Sequence, residues 1–586
     1  MYPMQSFIKH YLFLPIMAFI SMMGISCSTT HEKQVEEVLS QMTTRQKVAQ
    51  LIMVSCDSYN LPAKRLNRDT LVREEGIGGL IIFHDSLPRS IARLNELQSM
   101  SRIPLLVGVD GEWGPSMRYS EFPFFPRQMQ LGALSSDTLV YQMGLAIAEQ
   151  CKMVNLHINF APVVDINTNP KNPVIHTRSF GENKERVTQF ASAYMRGMQD
   201  GGIYASAKHF PGHGDTDVDS HRSLPILPFS RERLDSLELY PFKSMIEQDV
   251  AMVMIGHLFI PSLDTIVSTL SHKVVTKLLK EEMKFDGIVV TDALNMKGVS
   301  STLRPSEVTL AAYKAGVDLL LMPNEVKRSI DLIVSAVESG ECSMEDLDNR
   351  VRKILRLKAK LGMLTEGYSA LIDSTDIVNR VRKPEHIALA QKLADHSITM
   401  VENRGNLVPL DTNKRIAYVA YNAKHIPLVR FYGELDGLSG YCPETGMIDS
   451  TTILYQQIKQ SNYNIDYFKL NKKSTLKEIS ELEKSLTSYD MIILACHDPY
   501  GRPKDNLIDE QHMEALGQIV KTIPTLMVQF STPYGLNNIP WISDLGSIII
   551  SYQDSESNQL ATSKVLTGLI PALGVLPVSA AGYTAQ

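Results

Sequence analysis

Residues 251–292 read AMVMIGHLFIPSLDTIVSTLSHKVVTKLLKEEMKFDGIVVTD and contain two short apolar runs separated by a helical pattern. The runs, 251–257 and 287–292, have the length of buried β-strands, and each ends in an ionisable residue. Between them, residues 271–285 carry apolar side chains at the spacing of an amphipathic helix. Apolar strands joined by a helix are typical of a parallel βαβ unit with both sheet faces covered. This stretch therefore predicts one repeat of an α/β fold.

The same unit recurs along the N-terminal part of the chain. Apolar runs of strand length occur at 51–56, 77–83, 104–110, 155–162, 203–209, 251–257, 287–292 and 317–322. Amphipathic segments such as 138–154 and 326–339 lie between them. Eight strand–helix units in this length predict a (β/α)8 TIM-type barrel with loop insertions, over residues 35–365. A doubly wound open parallel sheet is the alternative arrangement of the same elements.

A second α/β region follows the barrel. A long charged helix is predicted over 344–362, and residues 366–385 are polar and irregular, as expected of a linker. Strands are then predicted at 416–421, 491–497, 525–530 and 547–552, with helices at 476–486 and 514–521. The pattern predicts a smaller α/β sandwich domain over 386–586, with about four or five parallel strands.

Composition and charge exclude several classes of protein. The chain has 586 residues, of which 44% are apolar and 21% are charged, as in ordinary globular proteins. Its 58 basic and 64 acidic residues give a net charge of −6, and no basic cluster indicates a nucleic-acid partner. The six cysteines are scattered, without the spacing of a metal site or a disulfide framework. Because no glycine-rich nucleotide-binding motif follows a strand, we expect no cofactor.

The first 26 residues have the pattern of an export signal. Lys9 and His10 precede an apolar stretch, 11–26, that ends in small residues. This stretch is shorter than the ~20 residues of a transmembrane helix. The run GISC at 24–27 resembles a bacterial lipobox, in which Cys27 would be lipidated; plain secretion is the alternative. We expect an exported protein of the periplasm or an outer-membrane lipoprotein of a Gram-negative bacterium, attached to a membrane only through Cys27.

Polar side chains end or follow the predicted strands. A (β/α)8 barrel carries its functional residues at the carboxyl ends of its strands. A charged residue that ends an apolar strand is costly to bury unless it is paired or used. The residues at these positions are Asp110, Arg118, Asp165, Arg178, Lys208, His209, His257 and Asp292. Because they would converge on one mouth of the barrel, the sequence predicts a functional site there.

The densest group of candidate residues is KHFPGHGDTDVDSH, at 208–221. Three histidines and three aspartates first indicate a metal, but the proline and two glycines break the helix that a zinc-binding HExxH pair requires. We therefore expect a folded-back loop without a metal. In an extended segment Asp219 and His221 would share a face, so the carboxylate can hold the imidazole and raise its basicity. This pair predicts half of a general acid/base device; a solvated surface loop is the alternative.

Asp292 ends the apolar run GIVVT and is followed by ALNMK. From the end of the seventh strand its carboxylate would face His221 across the barrel mouth. A carboxylate nucleophile with a separate acid/base is the arrangement of retaining glycosidases. The unusual feature is an acid/base candidate that is a histidine rather than a second carboxylate.

Three segments resemble glycoside hydrolase family 3, in particular its β-N-acetylhexosaminidase branch. They are KHFPGHGDTDVDSH at 208–221, TDALNM around Asp292 and NFAPVVDIN around Asp165. In addition, SITMVENRGNLVPL at 397–410 and GVLPVS at 574–579 resemble the start and end of that family's C-terminal α/β sandwich. The resemblance therefore covers nearly the whole chain after the export signal.

The resemblance implies a role for each matching residue. Asp292 would be the nucleophile, and His221 the acid/base, supported by Asp219. The residues that would bind the N-acetylglucosamine ring in the non-reducing subsite are Asp110, Arg118, Arg178, Lys208 and His209. The loop at 110–114 departs from the family's usual DQEGG-type sequence and reads DGEWG. There Trp113 is expected either to stack on a sugar face or to anchor the core, while His213 and His257 are expected to be structural.

The resemblance implies an exo-β-N-acetylglucosaminidase that acts on peptidoglycan fragments or other glycans with terminal β-linked N-acetylglucosamine. We expect the protein to be a monomer. A β-glucosidase or β-xylosidase of the same family is one alternative, although these generally take their acid/base from the C-terminal domain. A glycosyl phosphorylase is another, because a neutral histidine repels phosphate less than a carboxylate does. A cell-wall binding module without activity is the third, and it would be expected to lack the carboxylate that is present as Asp292.

Overall fold

The computed structural model of the protein describes residues 30–56, 67–219, 223–300, 303–423, 447–448, 451–498 and 507–586. The predicted export signal with Cys27 and the predicted acid/base His221 lie outside the described residues. No helix of the described residues is both long enough and apolar enough to cross a membrane. No disulfide joins the cysteines found in these ranges.

Eight parallel strands form the first sheet. They are β1 Ile52–Ser55, β2 Gly79–Ile82, β3 Leu106–Val109, β4 Ile158–Asn159, β5 Tyr204–Phe210, β6 Met252–Ile255, β7 Ile288–Thr291 and β8 Leu320–Leu321. Each strand pairs with its sequence neighbour, and β1 also pairs with β8. A parallel bridge between Val290 and Leu319 joins β7 to β8. The sheet is therefore a TIM-type barrel, as predicted, and the open-sheet alternative is wrong.

Helices surround this barrel, because the strands are buried on both faces and need cover. The α-helices are Thr44–Gln50, Leu87–Met100, Gln128–Leu131, Thr138–Met153, Lys184–Asp200, Arg231–Ser236, Tyr240–Glu247, Lys297–Ser300, Pro305–Ala315, Val326–Glu338 and Met344–Lys360. The helix predicted at 271–285 is a π-helix, Lys273–Glu282, which still buries its apolar side chains against the barrel. A second π-helix spans Leu71–Glu75.

The C-terminal domain contains a six-stranded sheet, in which neighbouring strands follow the order Ile465–Leu470, Ile416–Tyr421, Met491–His497, Thr525–Phe530, Ser547–Ile550 and Thr399–Glu402. Its strands are β9 Thr399–Glu402, β10 Ile416–Tyr421, β13 Ile465–Leu470, β14 Met491–His497, β15 Thr525–Phe530 and β16 Ser547–Ile550; a short hairpin, β11 Met447–Ile448 and β12 Thr451–Thr452, lies apart. Its helices are Pro384–Ser397, Ile453–Gln460, Leu476–Leu486, Glu510–Thr522 and Glu556–Leu566, and a short helix, Ile377–Val381, lies in the linker and packs in the core of the barrel. Five strands run parallel, as predicted, and β9 is antiparallel at one edge.

The C-terminal domain packs directly on the barrel. Met129 and Ala133, from the loop region after β3, lie in the apolar core of the C-terminal domain. Ser579 donates two hydrogen bonds to the Glu182 carboxylate, from its backbone N–H (2.9 Å) and from its hydroxyl (2.6 Å). The chain from the barrel to this domain is also held, since the Ile372 N–H donates to Asn95 Oδ1 (2.8 Å). These contacts fix the second domain beside the loops that follow β3 and β4.

Candidate active site

The side chains predicted for the site lie at the carboxyl ends of the barrel strands. Asp110 follows β3, Lys208 lies near the end of β5, and Asp292 follows β7. Arg118 lies in the loop after β3, and Arg178 lies in the loop after β4. The fold therefore places these residues at the end of the barrel where TIM-barrel enzymes hold their active sites.

A β-bulge aims two consecutive side chains of β5 into the site. The pairing of β5 with β6 shifts between Lys208 and Phe210, so that His209 is the extra residue. In a regular strand, neighbouring side chains point to opposite faces of the sheet, whereas a bulge re-aims one of them. Lys208 Nζ donates to Asp110 Oδ1 (3.0 Å), and His209 Nδ1 lies 2.8 Å from Asp165 Oδ2. Both residues consequently contact acidic groups of the site.

Asp110 is more exposed than the cations that contact it. Arg118 donates to it twice, from Nη2 to Oδ2 (3.2 Å) and from Nε to the backbone carbonyl (3.1 Å). The Asp110 side chain is 22% exposed, whereas the side chains of Arg118 and Lys208 are 4% and 3% exposed. Two buried cations therefore hold one carboxylate at the open side of the cluster, where it can accept hydrogen bonds from a sugar hydroxyl.

Glu112 is a central residue of the site that the sequence analysis did not select. Its carboxylate receives hydrogen bonds from Arg178 Nη2 (2.8 Å) and Nε (3.0 Å), and its Oε1 lies 2.9 Å from Lys208 Nζ. Burial alone would raise the pKa of Glu112, but the positive charges of Arg178 and Lys208 outweigh it and hold the pKa below its usual range. The carboxylate is thus charged and fixes two of the residues predicted to bind the sugar.

Arg178 bridges Glu112 and the histidine of β5. Its Nη2 lies 3.3 Å from His209 Nε2, and its Nη1 donates to the Val174 carbonyl (3.3 Å). Burial lowers the pKa of a guanidinium, but the adjacent Glu112 carboxylate more than compensates, so that the pKa of Arg178 is raised. Burial likewise lowers the pKa of Lys208, but the negative charges of Asp110 and Glu112 outweigh it, so that the pKa is raised. Both cations therefore keep their charge in the buried site.

Asp165 organises the loop that begins at β5. Its carboxylate accepts from the His209 N–H (3.2 Å) and the His213 N–H (2.7 Å), and it faces the His209 ring. Burial lowers the pKa of His213 to about 4, so this imidazole is neutral; its Nδ1 lies 3.0 Å from Thr216 Oγ1. These contacts give His213 and Asp165 a structural role in this loop, which is the role expected for His213.

The glycines of the loop after β5 allow close backbone contacts. A side chain at Gly214 would lie 1.8 Å from the Ile166 carbonyl oxygen, and Gly212 has a φ of +131°. The loop thus folds back against the segment after β4, as its sequence predicts. Asp219 is described at its end, where its carbonyl accepts from the Ser223 N–H (3.0 Å). The pairing of Asp219 with His221 remains a prediction, because His221 is outside the described residues.

Asp292 lies directly after β7 and is half-buried. Its N–H donates to the Ile255 carbonyl of β6 (3.0 Å), and its Oδ1 accepts from the Ala293 N–H (2.7 Å). The buried His257 holds the same segment from beneath, with Nε2 at 3.0 Å from the Ala293 carbonyl and Nδ1 at 2.7 Å from Thr269 Oγ1. His257 therefore supports the backbone beside the predicted nucleophile.

Trp113 is an anchor of the protein core. It is only 2% exposed, and its ring packs against Phe124 and beneath the Arg127 guanidinium. A sugar cannot stack on a ring that is only 2% exposed, so the structure favours the core role over the sugar-stacking role. Among the described residues, no three histidine, cysteine or acidic side chains are arranged to hold a metal ion.

Comparison with known proteins identifies the family of the chain. Residues 43–357 match the model of the glycosyl hydrolase family 3 N-terminal domain. The chain is 31% identical to β-hexosaminidase A of Pseudoalteromonas piscicida over 426 residues, which cover 64% of the chain and 70% of that protein. It is 25% identical to a β-N-acetylglucosaminidase/β-glucosidase of Cellulomonas fimi over 563 residues, with 93% and 95% coverage.

A solved structure has the same two-domain architecture. The glycoside hydrolase family 3 β-N-acetylglucosaminidase of Paenibacillus sp. str. FPU-7 superposes with a TM-score of 0.76 at 28% identity. The superposition covers 93% of this chain and 100% of the other. The likeness therefore extends over the barrel and the C-terminal domain together.

Proposed function

The chain belongs to glycosyl hydrolase family 3 and is a glycoside hydrolase, and we propose that it is a retaining exo-β-N-acetylglucosaminidase. Its substrate is a glycan with a β-linked N-acetylglucosamine at the non-reducing end. The relatives named β-hexosaminidase and β-N-acetylglucosaminidase support this choice of sugar.

The observation that carries the proposal is the buried charged cluster at the barrel mouth. Lys208 is held between Asp110 and Glu112, and Arg178 is held by Glu112 beside His209. Donors and acceptors held in fixed positions can form hydrogen bonds with the hydroxyl and acetamido groups of a sugar ring.

Hydrolysis proceeds in two steps. An Asp292 carboxylate oxygen attacks the anomeric carbon while the bond to the leaving oxygen breaks, and the His221 imidazolium gives its proton to that oxygen. The now neutral His221 takes a proton from water, whose oxygen attacks the anomeric carbon and releases Asp292. Asp219 orients the imidazole and favours its charged form. Two inversions at one carbon yield a product with the β-configuration of the substrate.

Peptidoglycan fragments are the physiological substrate we propose. They carry terminal β-linked N-acetylglucosamine, and they are found outside the cytoplasm, where the export signal at 1–26 would deliver this protein. Lipidation at Cys27 would hold it at a membrane facing that substrate. The name of the Cellulomonas fimi relative also favours a second activity, on β-glucosides, as a candidate for this site.

A panel of 4-nitrophenyl β-glycosides tests the proposal. Purified protein is assayed with the N-acetylglucosaminide, glucoside, xyloside and N-acetylgalactosaminide under equal conditions, and kcat/KM is expected to be highest for the N-acetylglucosaminide. A preference for the glucoside or xyloside would contradict it. The assay is repeated with inorganic phosphate, and product analysis distinguishes free sugar, expected from hydrolysis, from a sugar 1-phosphate, expected from phosphorolysis.

A further inference from the structure

The segment that carries Arg178 is held in an unusual backbone conformation. Residues His176–Arg178 form a 3-10 turn, and His176 has a φ of +38°. A positive φ is uncommon for a residue with a side chain, and it persists only where surrounding contacts impose it. The Arg178 N–H donates to the Ile175 carbonyl (2.7 Å). The backbone of this turn therefore determines the position from which the Arg178 side chain extends.

A tyrosine of the C-terminal domain provides these contacts. Tyr534 lies in the 3-10 helix Pro533–Asn538, which follows β15, and it is 7% exposed. Its ring packs on the His176 ring with 5.4 Å between centroids. Its hydroxyl oxygen accepts from Asn167 Nδ2 (2.7 Å), and Asn167 Oδ1 in turn accepts from the His176 N–H (3.2 Å). One side chain therefore holds both the ring and, through Asn167, the backbone of His176.

A second contact between the domains reaches the same turn. Gln553 Oε1 accepts from the Arg127 N–H (2.6 Å), and Arg127 Nη1 donates to Thr177 Oγ1 (3.3 Å). Of the two neighbours of Thr177, His176 contacts Tyr534 and Arg178 contacts Glu112 in the site. The C-terminal domain is consequently linked to the turn twice, directly through Tyr534 and indirectly through Arg127.

We propose that Tyr534 is a positioning residue for substrate binding, which acts by holding the Asn167–His176 pair and thereby the Arg178 guanidinium. The inference rests on the proposed function only in that Arg178 contacts the sugar. It assigns the C-terminal domain an indirect part in affinity, although Asp292, Lys208 and Arg178 all belong to the barrel. Loss of the hydroxyl should weaken substrate binding in the ground state and the transition state alike, which raises KM and leaves kcat nearly unchanged.

The test is a double-mutant cycle between Tyr534→Phe and Arg178→Ala, assayed with whichever aryl glycoside of the panel the wild type hydrolyses best. Tyr534→Phe alone removes the hydroxyl that binds Asn167 and is expected to raise KM about 3- to 10-fold, with kcat within about 2-fold. In the Arg178→Ala background the same change is expected to have no further effect, because the residue acts through Arg178.

Tyr421→Phe is the matched control. Tyr421 is also a buried tyrosine of the C-terminal domain, with its hydroxyl 2.8 Å from His512 Nδ1, and it lies within that domain's own core. Its loss should change stability and leave KM unchanged. Asn167→Ala, on the other side of the Tyr534 hydrogen bond, should reproduce the rise in KM and replaces Tyr534→Phe if that variant does not fold.

Two results would overturn the positioning role: an equal rise in KM with and without Arg178, or an unchanged KM in a folded Tyr534→Phe protein. Neither depends on which sugar is preferred. Failure of the proposed function would instead appear in the wild type, as a preference for a sugar other than N-acetylglucosamine.

Discussion

The Glu112 carboxylate lies 2.9 Å from the Lys208 ammonium, and the two side chains are only 1% and 3% exposed. The same carboxylate also binds Arg178. Removing one member of a buried ion pair leaves the other charge without compensation, which is strongly unfavourable. Glu112 thus governs the geometry of two cations that we assign to sugar binding, without being required to contact the sugar itself.

Glu112→Gln is expected to lower kcat/KM for the preferred aryl glycoside about 10- to 100-fold, mainly through KM. The variant keeps the shape of the side chain but removes the charge that orients Lys208 and Arg178, and hydrogen bonds to charged groups contribute about 1.5–3 kcal/mol. Steady-state kinetics measure the effect. Glu481→Gln is the control, because Glu481 forms only an exposed pair with Lys477 on a surface helix and should leave both constants unchanged. Equal constants for Glu112→Gln and wild type would contradict the role of Glu112.

The sequence predicted the barrel because each strand signal is local. A short apolar run that ends in a polar residue, as at β5 or β7, can be recognised as a strand without reference to the rest of the chain. The edge strand β13, Ile465–Leu470, was missed because it is only half-buried and its sequence, IDYFKL, mixes charged and aromatic residues. The antiparallel strand β9 was missed for a related reason, since three of its four residues are partly exposed.

Within the site, the sequence predicted residues that end strands or belong to a recognisable motif. Glu112 lies in a loop, where an acidic side chain is ordinarily solvated, and its burial follows only from the positions of Arg178 and Lys208. The one available signal was that DGEWG retains the glutamate of the usual DQEGG-type loop. The contact of Tyr534 with Asn167 spans 367 residues of sequence, and no local pattern indicates it.

Lys358→Met is expected to stabilise the protein more at pH 7 than at pH 10. Lys358 is fully buried, its Nζ donates to Gln50 Oε1 (2.7 Å), and burial lowers its pKa to about 7. Below pH 7 the lysine is charged in both the folded and the unfolded state, and its burial in the folded state is then most unfavourable. Between pH 7 and its unfolded pKa of about 10.4, the unfolded state binds more protons, so wild-type stability rises by about 1.4 kcal/mol per pH unit.

Chemical denaturation of both proteins from pH 6 to pH 10 measures this difference. The methionine variant leaves Gln50 Oε1 without its lysine donor, but that cost does not vary with pH, so the slope isolates the ionisation. Lys360→Met, a change at an exposed position of the same helix, is the control and should give a stability curve parallel to that of the wild type. Parallel curves for Lys358→Met as well would mean that the lysine keeps its ordinary pKa.

Asp292→Ala is expected to reduce turnover of every substrate about 10⁴- to 10⁶-fold, because no glycosyl-enzyme can form without the carboxylate. Asp286→Ala removes an exposed carboxylate just before the same strand and should leave activity unchanged. The wild type should release a β-anomer first from a β-glycoside, which proton NMR detects before mutarotation. An α-anomer as the first product would show inversion, and Asp292 would then not be the nucleophile.

The effect of His221→Ala is expected to depend on the leaving group. A dinitrophenolate needs little protonation to depart, so formation of the glycosyl-enzyme should survive in part. An unactivated disaccharide needs a full proton and should lose about 10²- to 10⁴-fold in kcat/KM. Because the second step also needs a base, the intermediate should accumulate, and a burst of dinitrophenol should precede slow turnover in stopped-flow measurements.

Asp219→Ala and Lys208→Ala separate proton transfer from sugar binding. Asp219→Ala should show a milder form of the same leaving-group dependence, since Asp219 orients the imidazole without transferring the proton. Lys208→Ala removes a cation that holds Asp110. The resulting decrease in kcat/KM should therefore be similar for good and poor leaving groups. If His221→Ala also lost activity equally across all leaving groups, His221 would bind substrate rather than transfer a proton. Another residue would then have to be the proton donor. The carboxylates of the C-terminal domain would be the first candidates to test by substitution.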